Sequence, residues 1–95
     1  MHPVAPSSLP PIPLLKLAIA DLPSDDRDSP TRTVWVNPLQ IETVVEYVTW
    51  NELDPLLWLE LTLASGAVLH NLVGPVAPTE LMAAAEHAIE QLRSA

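Results

Sequence analysis

The chain has no cysteine, and that one absence removes disulfides, thiolate metal sites and thiol nucleophiles together. Only Lys16, Arg27, Arg32 and Arg93 are basic against twelve acidic residues, for a formal net charge of −8. A phosphate backbone would be repelled by such a surface, which argues against direct nucleic-acid binding. Glycine occurs only at Gly66 and Gly74, too sparsely for a phosphate-cradling loop. No apolar run approaches the roughly 18 residues of a membrane span, because Glu60 interrupts the leucine-rich segment and Pro75 and Pro78 interrupt the next apolar stretch. Membrane insertion is therefore not expected. Ala18-Ile19-Ala20 has the small residues of a leader cleavage site. No basic residue precedes Lys16, however, and Pro10, Pro11 and Pro13 occupy the place of the apolar helix, so a secretory leader is not expected either. The expectation is a soluble protein, cytoplasmic or virion-associated.

What is present is a chain of one-domain size, 95 residues, 48% of them apolar. That suffices for one modest core but not for a core plus a deep substrate cleft. The charged fraction of 17% falls below the usual figure of about 25%, which leaves apolar surface for a partner. Residues 1–13 hold Pro3, Pro6, Pro10, Pro11 and Pro13, a density that excludes helix and makes an extended arm ahead of a single domain, 14–95.

Within that domain, Leu14 to Ala20 alternates around Leu15, Leu17 and Ile19 and reads as a first strand. The acidic stretch 21–32, with Asp25, Asp26 and Asp28 between prolines, has the composition of a solvated loop that buries nothing. Val34-Trp35-Val36 reads as a short strand ended by Asn37-Pro38, and Gln40 to Trp50 as a longer one ended by Asn51 to Pro55. Leu56 to Leu63 and Ala67 to Val73 make two more strands around Ser65-Gly66, and Glu80 to Leu92 has helical spacing, with Leu81, Ala85, Ala88, Ile89 and Leu92 on one stripe. Pro78-Thr79-Glu80 supplies a cap and an acidic first turn, and the run of alanines allows close approach to the sheet. The fold class is α+β, an antiparallel meander of about five strands packed by one C-terminal helix.

A five-residue Asn51 to Pro55 loop sets Trp50 opposite Leu56, Tyr47 opposite Leu59, Val45 opposite Leu61 and Thr43 opposite Leu63. That places Tyr47, Leu59, Val45 and Leu61 in the core. Trp50, Leu56, Val48 and Trp58 fall on an outward face, partly wet because Glu46 would oppose Glu60 there. The next hairpin has two solutions: a two-residue loop turns Val68, His70 and Leu72 inward, and a three-residue loop with Gly66 in a bulge turns Ala67, Leu69 and Asn71 inward. Burying Leu69 rather than His70 costs less.

For chemistry, His2, His70 and His87 lack metal-ligand spacing. The loop aspartates have nothing to hold them in catalytic geometry. No cofactor, metal or catalytic residue is expected. Pro3-x-x-Pro6 and Pro10-x-x-Pro13 carry the spacing read by aromatic grooves, although Lys16 falls one position late for the usual basic flank.

The element order, with "LLKLAIA", "VWVNPLQIETV" and "LASG", resembles the small FlbD-type flagellar accessory family and similar bacterial and phage proteins. The marks are Asn37, Ile41, Val44 or Val45, Gly66 and the apolar C-terminal helix, over residues 14 to 92. That resemblance implies a β-meander-plus-helix fold and an adaptor role. This chain differs in its acidic loop and its Pro-rich arm. The function expected is a non-catalytic structural subunit of a larger bacterial or phage assembly, binding a protein partner or its own copies through Pro10, Pro11, Pro13, Trp50, Trp58, Val48 and Leu56. A FlbD-like flagellar or regulatory adaptor and an acidic inhibitor of a host enzyme are the alternatives.

Overall fold

The computed structural model describes residues 13–25 and 30–93. Five strands, β1 (Leu15–Ala20), β2 (Arg32–Val36), β3 (Ile41–Thr49), β4 (Leu56–Leu63) and β5 (Val68–Pro75), precede one helix, α1 (Leu81–Arg93). They form a single antiparallel sheet in the order β2-β1-β5-β4-β3, which is the α+β arrangement expected. β3, β4 and β5 are a meander, β1 and β2 a hairpin, and the pairing of β1 with β5 joins the two.

The connection from β2 to β3 bends this sheet. The two strands lie at opposite edges and run in the same sense. In a flat sheet the link would cross four strand spacings, roughly 19 Å, as well as a strand length. Only Asn37 and a 3₁₀ turn, Pro38–Gln40, connect them, and such a link spans no more than about 15 Å. The β1–β2 hairpin therefore swings over the helix-bearing face. Leu15 and Leu17 of β1 pack with Ile41 and Val44 of β3 on one core of Leu59, Leu61 and Leu92. Asn37 shapes the link, its Oδ1 accepting from the Leu39 amide at 2.9 Å.

The β3–β4 register differs from the sequence expectation by one residue. Thr49 opposes Leu56, Tyr47 opposes Trp58 and Val44 opposes Leu61, so the loop holds six residues, Trp50 to Pro55. A one-residue slip turns every β3 side chain to the other face. Val44 and Val48 join the helix side, whereas Thr43, Val45 and Tyr47 face away. The slip also separates Glu46 from Glu60, which now oppose Leu59 and Val45, and so removes a like-charge pair. Trp58 and Leu56, expected on a partly exposed face, are fully buried, Trp58 at 0% exposure.

Three further expectations are corrected. The loop after β1 is not wholly solvated: Thr49 Oγ1 donates to the Ser24 carbonyl at 2.7 Å and Asn51 Nδ2 to that of Asp25 at 2.9 Å. Residues 21–25 thus reach across to the far end of β3. Arg32, expected in the loop, is the first residue of β2. The helix has no side-chain cap; a 3₁₀ turn, Pro78–Glu80, leads into it. The open hairpin choice resolves to the three-residue loop. Leu63 N–H donates to Ala67 C=O, Leu61 opposes Leu69, and Gly66 takes the positive φ of 92° that the bulge needs.

Leu61 is fully buried at mid-strand in the helix-side core. Leu61→Ala should lose about 2–5 kcal/mol of stability, measured by urea denaturation. A loss below about 1 kcal/mol, the scale of surface changes, would place the core elsewhere.

Candidate interaction surface

β4 reads Leu56-Leu57-Trp58-Leu59-Glu60-Leu61 and is covered on both faces. On the face away from α1, Trp58 and Leu56 pack with Ala20, Tyr47 and Leu72. The Tyr47 and Trp58 rings stack, 6° from parallel with centroids 6.1 Å apart. A buried indole N–H needs an acceptor. Trp58 Nε1 finds one in Thr49 Oγ1 at 3.0 Å, and that hydroxyl passes its own proton to the Ser24 carbonyl. The relay binds β4, β3 and the β1–β2 loop together.

Tyr47 Oη lies 3.3 Å from His70 Nδ1, and Glu60 sits opposite His70 on the neighbouring strand. Burial, with the Glu60 carboxylate adding to it, pushes the Tyr47 phenol up to about 12. The phenol is thus held in its neutral form beside His70. Among the described residues, no group of three or more His, Asp or Glu side chains is placed to hold a metal ion. No helix there is long and apolar enough to cross a membrane.

The residues proposed for partner contact are dispersed by the structure. Trp50 is 62% exposed in the β3–β4 loop, between the two residues that clamp the loop after β1. Val48 is half-buried on the helix side, and Pro13 is exposed. Pro10 and Pro11 lie outside the described residues. Trp58 and Leu56, being buried, offer no surface. Trp35 was not selected from sequence, yet it is 60% exposed on β2 beneath Lys16, whose ammonium lies 5.9 Å from the ring centre. Its place in an edge strand of only five residues was the available signal. Leu53, beside Trp50 in the same loop, is also exposed.

Comparison with protein-family models, with curated proteins and with solved structures returned no match.

Two outcomes test this face. Trp58→Ala should cost about 3–5 kcal/mol, and Thr49→Val, which strands the indole N–H, about 1–3 kcal/mol; chemical denaturation reads both. Tyr47 is the one tyrosine in the chain, so phenolate absorbance near 295 nm reports it alone. Folding raises its pKa above the ordinary 10. The folded chain therefore keeps a proton that the unfolded chain has lost, and stability due to Tyr47 is whole below pH 10 and declines as pH rises toward 12. Tyr47→Phe should flatten that decline. A phenolate midpoint at 10 in the folded protein would contradict the burial described.

Proposed function

We propose that the protein is a non-catalytic interaction subunit of a larger bacterial or phage assembly, a virion included. One observation carries this reading: two of the three tryptophans, Trp35 and Trp50, stand mostly exposed on a small acidic domain. Large aromatic side chains are the preferred anchors of protein interfaces, because they bury much area for little lost side-chain freedom. The polar groups that could suggest catalysis are engaged otherwise, Tyr47 with His70 and Thr49 with Trp58 and Ser24. The Pro-rich sequence of residues 1–13, with Pro10, Pro11 and Pro13, is the other proposed contact, because proline-rich sequence is a common target of partner grooves.

A FlbD-like flagellar or regulatory adaptor is the second reading, resting on the sequence marks Asn37, Ile41 and Gly66. Asn37 organises the short link between the sheet edges, and Gly66 takes a backbone conformation that suits glycine. Both residues therefore serve the architecture of this chain, whichever assembly the protein joins.

The experiment is co-purification from the native source with Trp50→Ser and with residues 2–12 replaced by a Gly/Ser segment of equal length. Each change should deplete the partner while moving stability by no more than about 0.5 kcal/mol, as for other surface substitutions. Full partner recovery with both variants would sink the proposal.

A further inference from the structure

β3 lies at one edge of the sheet and, among the described residues, pairs only with β4. The alternation of the ladder tells which of its backbone groups are left over. Ala64 N–H donates to Gln40 C=O and Leu63 N–H to Ala67 C=O, so even-numbered residues of β4 turn toward β3 and odd-numbered ones toward β5. Opposite Thr62, Glu60, Trp58 and Leu56 stand Thr43, Val45, Tyr47 and Thr49, and these exchange bonds with β4. Val44, Glu46 and Val48 therefore aim their N–H and C=O groups away from the sheet.

The other edge strand, β2, has only five residues, whereas β3 has nine, contains no Pro, Gly, Lys or Arg, and is regular over 43–49, past the register shift at its start. Native sheets blunt long free edges, and here Glu46 is the one charge on the regular stretch. Its side chain is exposed and lies on the helix side between those of Val44 and Val48. Beside Val44 a cavity of about 350 Å³ opens between β3 and α1, lined by Ile41, Ile89 and Leu92, with Glu42 and Arg93 also on its wall. The edge runs directly into Trp50, the exposed side chain already taken as an anchor.

We infer that β3 is extended by a strand from a basic partner protein, one whose alternate residues read apolar, Lys or Arg, apolar; the inference rests on the interaction-subunit reading and gives its partner a chemistry. Main-chain bonds to Val44, Glu46 and Val48 supply the affinity, and pockets for alternate side chains the specificity, as in other strand additions. In such a ladder the residues opposite Val44, Glu46 and Val48 project on the helix side. The first reaches the cavity lined by Ile89 and Leu92, and the middle one needs a positive charge to match Glu46. Arg93, on the same cavity wall as Glu42, disfavours a second basic residue at that end. The occupant is not β3 of a second copy, because β3 holds no Lys or Arg to match Glu46 in any register and each copy carries a net charge of −8. Nor is it the Pro-rich stretch of residues 1–13, which has no run longer than three residues free of proline and no basic residue to offer.

Fluorescence anisotropy of a labelled, end-capped Thr-Val-Thr-Lys-Thr-Val-Thr peptide, titrated with the full chain to millimolar concentration, is the test. The peptide should bind, and about tenfold more tightly than the same peptide with Glu in place of Lys. Methylating the backbone nitrogen of its Lys removes a ladder donor while keeping every side chain, and should weaken binding by about tenfold or more. Glu46→Gln should erase the preference between the Lys and Glu peptides. Glu46→Pro deletes an N–H that faces the open side, where an edge strand tolerates proline, and should abolish binding with the circular dichroism melt retained. If Glu46→Pro misfolds, the methylated peptide and Glu46→Gln still decide. Absence of binding, or binding indifferent to methylation or to the change of Lys for Glu, overturns the proposal. Self-association of the chain that Glu46→Pro abolishes also overturns it, by assigning the edge to a second copy. If the Lys peptide fails to bind while partners still co-purify through Trp50, this inference falls and the interaction-subunit reading stands.

Discussion

Four residues between Val36 and Ile41 connect strands that a flat sheet would hold far apart, and most of the architecture answers to that limit. The β1–β2 hairpin must cross the helix-bearing face, so it gives up all but two of its pairings with β5. The Leu15 and Leu17 side chains then complete a core with Ile41 and Val44 that neither half of the sheet could enclose alone. The same divergence leaves a cleft for α1 to cover, and the small side chains Ala84 and Ala88 let the helix approach it. Gly74, with a φ of 135° where the β4–β5 register shifts, lets β5 bend at that point, a conformation that any larger residue would strain.

A central strand buried on both faces needs cover from two directions. The helix provides one. The other is assembled from short-range parts: a stacked Tyr47, the methyl group of Ala20, and residues 21–25 drawn over by two carbonyl hydrogen bonds. Each tie is modest, about 0.5–1.5 kcal/mol net, but together they satisfy the one polar atom that Trp58 brings inside. The acidic loop thus has a structural end, at Ser24 and Asp25, besides its solvated composition.

The boundaries of β4 were legible from Leu56 to Leu63, as were the helical stripe and the Gly66 bulge as one of two options, because each rests on local periodicity or on a residue with one conformational specialty. The β3–β4 register was not. It depends on Asn51, whose amide group holds Leu53 N–H on one side and the distant Asp25 carbonyl on the other, and no window around Asn51 reveals the second partner. The burial of Trp58 had a readable sign: apolar residues at almost every position of β4, rather than every second one, indicate a strand covered twice. Trp35 and Trp50 look no different from Trp58 in composition. What separates them is the neighbouring strand, and that is set by topology.

The narrow junction between β1 and β5 also governs how the chain assembles itself in time. The β1–β2 hairpin and the β3–β4–β5 meander are each made of near neighbours in sequence, whereas Asn71 meets Ala18 across 53 positions. Closing so long a loop costs entropy before two ladder pairs and one side-chain amide return it. The junction should accordingly form late on folding and open early. The shared core of Leu15, Leu17, Ile41 and Val44 then holds the two parts together, so hydrogen-exchange protection should fall first at that narrow seam.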